Sequence, residues 1–291
     1  MDTLNTAFKE QIKKVMSIAK FSSVVTADNV YQEGNTDVVH IIDEMVDTLQ
    51  LPGSGMDGLE HLEELLAKAE AGYSCLLLPE HYSNLDLSMV SLFARRAGGR
   101  GNDIAKALVA IAGMKLNEDN PVVAAFASAY TRIVVSRGGL EGLDPANNRD
   151  ELIRSNAINR SAMKKLEEIK TQGKLILIFP AGTRFRPWDI TTKRGVREID
   201  SYIRTFDYMC LVAINGKLLH VQETDMMNDV VSKDKIKITV GPVLSCPEFR
   251  NKARSDAETA GIADKRQAAV DAIMLELDRM HNRAEEKRVP Q

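Results

Sequence analysis

The sequence predicts an α/β protein: a central mixed, largely parallel sheet covered by helices on both faces, preceded by a small helical N-terminal part. Three observations predict it. Short, continuously apolar runs such as SCLLL at 74–78, ALVAIAG at 107–113 and LILIF at 175–179 read as strands buried on both faces. Between them lie stretches with apolar residues three and four apart, the period of amphipathic helices. The two patterns alternate along the chain, as they do where helices cover a sheet on both sides.

Each element has its own local signal. Residues 5–20 and 36–50 carry helical apolar spacing, and the turn-rich LPGSGMDG at 51–58 breaks the chain after them. That break divides a helical N-terminal domain, 1–52, from an α/β domain, 53–291. LEHLEELLAKAEAG is a helix closed by Gly72, SCLLL is the first strand, and Pro79 ends it. Ser83 or Asn84 is placed to cap the next helix, which turns Leu85, Met89, Leu92 and Phe93 inward and stops at AGGRG, 97–101. ALVAIAG is the second strand. Asn120 before Pro121 is an N-cap and first-turn pair for a helix to about Tyr130. TRIVVSRGG supplies the third strand and a glycine-rich exit, a helix follows over 149–172 to Gly173, and KLILIFPAGTR is the fourth strand with its loop. Residues 209–214 and 235–241 are further strands, and 263–286 is a charged amphipathic helix.

Composition excludes several function classes. With 38 basic against 41 acidic residues the net charge is −3, so there is no general field for nucleic acid and an anion site has to be local. MDTLNTAFKEQIKK has no basic stretch leading into an apolar core, and nowhere do about 18 apolar residues run together, so neither a secretory signal nor a membrane span is expected. A cytoplasmic protein, at most peripheral to a membrane, is the expectation. Cys75, Cys210 and Cys246 form no close ligand pair and are odd in number, which suits a reducing compartment. Cys75 and Cys210 lie in apolar runs, as buried inert thiols do. No His, Cys or Asp cluster has ligand spacing, so no metal or redox cofactor is implied.

Ligands of such sheets gather at the carboxyl ends of strands. In EHYSNLD, after the first strand, four residues separate His81 from Asp86 across a strand-to-helix turn. The carboxylate can fold back to hold one imidazole nitrogen and leave the other as a base for a hydroxyl proton. The alternative is a loop histidine beside a helix-favouring Asp. In FPAGTRFRPW, after the fourth strand, Arg184 and Arg186 are alternate residues of a Pro- and Gly-constrained segment, a fork suited to phosphate. Two solvated arginines are the alternative. Arg137, between a buried run and two glycines, either completes an electropositive pocket or is a surface cation, and Lys193 and Arg194 extend the local positive charge.

HYSNLD, SRGG and FPAGTRFRP, in this order, resemble the glycerolipid acyltransferases, a family marked by a His and Asp with four residues between them, a later basic block and an FPEGTR-like block. Within it the chain is most similar to the plastid-type glycerol-3-phosphate acyltransferases, which have Arg-x-Arg-Pro where Arg184, Arg186 and Pro187 stand and a small helical domain ahead of the catalytic one. The branch that acylates lysophosphatidate usually has glutamate where this chain has Ala181. The resemblance implies acyl transfer from a thioester of acyl carrier protein or coenzyme A to glycerol 3-phosphate, without a cofactor. His81 and Asp86 are then catalytic, and Arg137, Gly182, Thr183, Arg184 and Arg186 bind substrate. Backbone amides near Gly182 or after Asn84 are candidate oxyanion donors. The Met89–Phe93 helix face or residues 122–130 are candidates for an acyl groove, with plain core as the alternative. An acidic carrier protein would dock on Lys106, Lys115, Lys193, Arg194 and Arg197. Acylation of lysophosphatidate, or lipid binding without catalysis on the same scaffold, are the competing readings.

Overall fold

Three parallel strands at the centre of the sheet alternate strictly between two cores. In the strand Cys75–Pro79, Cys75 and Leu77 belong to one hydrophobic cluster, and Leu76 and Leu78 to another. Leu175 and Leu177 against Ile176, and Cys210, Val212 and Ile214 against Met209, Leu211 and Ala213, divide in the same way. Residues of a strand point to opposite faces in turn, so a run that is apolar throughout needs cover on both sides. That cover is why continuous apolar runs foretold the sheet.

The computed structural model describes residues 2–22, 24–118, 120–136 and 148–288. Its strands are β1 (Tyr31–Gln32), β2 (Gly55–Asp57), β3 (Cys75–Pro79), β4 (Leu108–Gly113), β5 (Arg132–Val135), β6 (Leu175–Leu177), β7 (Tyr208–Asn215), β8 (Leu219–His220), β9 (Val230–Val231), β10 (Lys237–Val240) and β11 (Leu244–Ser245). The main sheet runs β1-β5-β4-β6-β3-β7-β10-β2, with β11 also on β7. Strands β5, β4, β6, β3 and β7 are parallel; β1, β10 and β11 pair antiparallel, and β8 and β9 form a separate ribbon. This is the mixed, largely parallel sheet expected.

Helices up to residue 127 feed the first core, among them Thr36–Leu49, Leu59–Glu70, Asp86–Arg96 and Pro121–Ala127, while Arg149–Ile169, Ile199–Thr205 and Lys265–Arg288 feed the second. Connections moving one way along the sheet, β3 to β4 to β5, cross the first face, and those moving back, β5 to β6 to β7, cross the second. Keeping one handedness of crossover demands this switch. As a result β6, whose exit leads to one face, lies between β3 and β4, whose exits lead to the other. A crevice opens between such neighbours at their carboxyl ends.

The helical N-terminal part packs directly on the α/β domain, and one helix cap in this half differs from the sequence expectation. Residues 2–52 supply Leu4, Val15, Val38, Ile42 and Met45 to the same core as Leu62 and Leu77, and β1 extends the sheet. The helix after β3 begins at Asp86, with Leu85 as N-cap making no side-chain bond; neither Ser83 nor Asn84 caps it in the usual way. Asn120 does cap the helix Pro121–Ala127, accepting from the amides of Val122 and Val123. No helix among the described residues is long and apolar enough to cross a membrane.

Candidate active site

His81 leaves the sheet one residue after Glu80, whose own amide still donates to Val212 O of β7 (3.0 Å), so the backbone at this point is held by the neighbouring strand. Its imidazole Nδ1 lies 2.9 Å from Asp86 Oδ2. Asp86 is fully buried, and Oδ2 also accepts from the amides of Tyr82 (2.6 Å) and Ser83 (2.8 Å), while Oδ1 accepts from Ser83 Oγ (2.8 Å). One carboxylate thereby closes the whole strand-to-helix turn, replacing the cap that Ser83 or Asn84 would have supplied. A carboxylate in this position accepts from Nδ1–H and leaves Nε2 bare. The ring is fixed from one side by Phe179, stacked with centroids 3.9 Å apart and planes 14° apart.

Phe179 begins the FPAGTRFRPW segment after β6, the strand next to β3. Gly182 turns this segment at φ +70°, a backbone region that side chains with a Cβ avoid, and its amide donates to Phe179 O (2.9 Å). The amide of Phe185 donates to His81 O (2.8 Å), so the two motif loops are joined directly. Gly182 N–H is thus already engaged. Thr183, partly buried beside it, is the next residue whose amide could face a ligand.

The two arginines do not form the expected fork. Arg184 turns inward and donates through Nη1 to Oδ2 of Asp229 (2.7 Å), a fully buried carboxylate that also accepts from the Gln222 amide (3.0 Å). Burial pushes the Asp229 carboxyl above the usual range, against the pull of the Gln222 amide and of Arg184. Arg186 is exposed, and its guanidinium has no partner among the described residues. Arg137 lies outside the described residues; the chain reaches its position through Ser136, whose amide donates to Asn159 Oδ1 (2.8 Å) at the end of β5.

The Acyltransferase family model matches residues 57–223, more than half of the chain and both motif loops. The chain belongs to this family. No curated protein matches it. Among solved structures it is similar to PlsC, the 1-acyl-sn-glycerophosphate (LPA) acyltransferase from Thermotoga maritima, at 13% identity and TM-score 0.46, over 87% of this chain and 81% of that one.

In this acyltransferase a second histidine–carboxylate couple backs the first. Glu80, 5% exposed, accepts from His281 Nδ1 (2.8 Å) and the Ile214 amide (2.9 Å) on Oε2, and from the Tyr82 hydroxyl (2.7 Å) on Oε1. Burial, and then the charge of Glu80, push the Tyr82 hydroxyl far up, so it stays a donor. Tyr82 therefore joins the couples, its amide on Asp86 and its hydroxyl on Glu80. Glu80, Tyr82 and His281 were missed from the sequence. Glu80 and Tyr82 flank His81 and carried a signal of polarity beside a buried strand, whereas His281 is 201 residues from Glu80 and carried none.

The remaining expectations fare differently. Met89, Phe93 and Phe126 are buried in the first core, so those stripes are core and not a groove. A cleft of about 630 Å³ lies between β10 and the C-terminal helix, and its lining includes none of His81, Asp86, Arg184 or Arg186. The cations expected to dock a carrier protein do not form one free patch: Lys193 pairs with Asp278 (2.5 Å), Arg194 with Asp271 (3.8 Å) and Arg197 with Asp264 (3.1 Å). Lys106 and Lys115 are exposed at opposite ends of the six-residue β4, about 20 Å apart at 3.3 Å per residue. All three cysteines are free and buried, and burial pushes the Cys75 thiol up to about 12.

Proposed function

We propose that this acyltransferase carries a fatty acyl group from a thioester of acyl carrier protein or coenzyme A to the primary hydroxyl of glycerol 3-phosphate, releasing lysophosphatidate and the thiol. The observation that carries the reading is the His81–Asp86 couple, held at 2.9 Å in the crevice beside the FPAGTRF loop. Nε2 of His81 takes the hydroxyl proton as that oxygen attacks the thioester carbon; the tetrahedral intermediate collapses, the C–S bond breaks, and the imidazolium returns the proton to the departing sulfur. Asp86 stabilises the imidazolium in between. Arg186, unpartnered among the described residues, is the guanidinium proposed to meet the phosphate, with Arg137 as its proposed second contact. Arg184 acts by holding the loop through Asp229. The amides of Thr183 and Arg184 are the proposed donors to the developing oxyanion. Buried, reduced cysteines support a cytoplasmic setting.

The test is a matrix of acceptors and donors with purified wild-type protein and the His81→Ala variant. Glycerol 3-phosphate is expected to be acylated, and the variant to lose about 10²–10⁴-fold in kcat. Product from lysophosphatidate alone would overturn the choice of acceptor. Equal transfer by His81→Ala would overturn the mechanism, and no transfer with any pair would leave a lipid-binding role on this scaffold.

A further inference from the structure

Trp188 is the single tryptophan of the chain and is 46% exposed; Ile190, two residues on, is 70% exposed, the most of any large apolar side chain among the described residues. Their exposure does not come from loose chain. Arg186 to Asp189 form a tight turn closed by the Asp189 amide on Arg186 O (2.9 Å), and Trp188 sits at its apex. The Asp189 carboxylate accepts from the Thr191 amide (3.1 Å) and hydroxyl (2.5 Å). Thr192 Oγ1 accepts from the Arg186 amide (2.8 Å) and donates to Asp189 O (2.6 Å). The base of the segment is tied by the Val196 amide to Pro180 O (2.9 Å) and by Gln267 Nε2 to Gly195 O (3.0 Å). A turn built this firmly holds a half-exposed tryptophan and a largely exposed isoleucine toward water, which marks a contact surface.

The turn follows β6 at the edge of the sheet where His81 leaves β3. Leu116, 36% exposed, follows β4 at the same edge, and Val24, 56% exposed, is held beside it through the Val25 amide on Glu118 (3.1 Å). We propose that the Trp188–Ile190 turn is an interfacial anchor that seats this edge of the protein on a lipid bilayer. Two protruding side chains are too little for a protein interface, which needs about 1,000 Å² or more. They suffice to enter a headgroup layer, where tryptophan is favoured. Charge points the same way. Lys193, Arg194 and Arg197 beside the turn each pair with an aspartate, and Arg186 at its start is the one cation of this segment without a partner among the described residues, so the surface carries little net positive charge and complements a zwitterionic interface better than an acidic protein.

The proposal is independent of the catalytic assignment, and Trp188 reports on it directly. The full chain is titrated with phosphatidylcholine vesicles while tryptophan emission is followed. The expected result is a blue shift of about 10 nm and quenching by lipids brominated in the acyl chain, for Trp188 entering the headgroup layer. Ile190→Asp is expected to weaken vesicle binding about tenfold, a charge replacing an inserted apolar group, without changing transfer to a water-soluble acceptor. High salt is expected to weaken binding by no more than about threefold, since Arg186 is the one cation of the turn without a partner among the described residues. His81→Ala binds vesicles as the wild type does, whether or not it transfers acyl groups. Unshifted emission with vesicles, undiminished binding by Ile190→Asp, or a shift produced by acyl carrier protein and not by lipid would each overturn the anchor.

Discussion

Replacing Asp86 by Asn separates what its carboxylate does for the fold from what it does for the reaction. The residue accepts four hydrogen bonds, three on Oδ2 and one on Oδ1. An asparagine can set its carbonyl at the Oδ2 position, keep the Tyr82 and Ser83 amides satisfied, and present its amide to Ser83 Oγ, whose hydroxyl can turn to accept. Stability should therefore fall by no more than about 1 kcal/mol. Activity should not be spared. The imidazolium that forms at His81 loses a buried opposite charge and its charge-assisted hydrogen bond, together worth roughly 1.5–4 kcal/mol. At 1.36 kcal/mol per decade this is about 10- to 1,000-fold in kcat. Asp86→Ala is the converse case, because it strands two amides and a hydroxyl in a buried turn at about 1–3 kcal/mol each. Steady-state kinetics with thermal melts read both quantities. Wild-type kcat in Asp86→Asn would refute the couple, and a melt of Asp86→Ala matching the wild type would refute the claim that this carboxylate closes the turn.

Two further outcomes follow from the buried carboxylates nearby. His281→Ala removes one of three donors to Glu80 and is expected to lower kcat about tenfold, the worth of one charge-assisted bond, with KM little changed; His281→Asn, which keeps a donor at the Nδ1 position, should recover most of it, and equal loss in both variants would show that His281 only packs. Asp229 has its carboxyl raised by burial, so the folded state binds its proton more tightly than the unfolded chain. Its contribution to stability is therefore greatest below the ordinary carboxylate range and is lost as pH rises through the raised value. Asp229→Asn should flatten stability against pH in that window, as read by denaturant unfolding at a series of pH values, and an unchanged slope would contradict it.

The parts of this molecule that were legible in the sequence are those whose cause is local. Strands β3, β4, β6 and β7 showed because burial on both faces makes every residue apolar, and the His81–Asp86 couple showed because one strand-to-helix turn contains all of it. The edge strands β1 and β2, two and three residues long and half exposed, are too short to display a period. The helix Cys246–Thr259 buries only Cys246 and Ala257 and so has little apolar periodicity, yet Ser245 capping the amide of Glu248 was a readable start signal that went unused. The inward turn of Arg184 could not be read at all, because Asp229 lies 45 residues on and spacing says nothing about such pairs.

These non-local pairs explain why the site forms at this edge of the sheet and not merely somewhere on it. Asp86, Asp229 and Glu80 are all buried there, and a buried carboxylate is tolerated only where donors converge on it. The donors to Glu80 come from β7, the Tyr82 loop and the C-terminal helix, and those to Asp229 from the FPAGTRF loop and the Gln222 segment. A misplaced segment would leave one of these charges unmatched, which costs about 3–5 kcal/mol when one partner of a buried pair is lost. Such groups add little net stability when everything is in place, but they make wrong arrangements of the loops expensive. The placing of the His81 loop thus rests on Glu80 and Asp229 as well as on the motif residue Asp86, and the C-terminal helix, far from the motifs in sequence, reaches that loop through the His281–Glu80 contact.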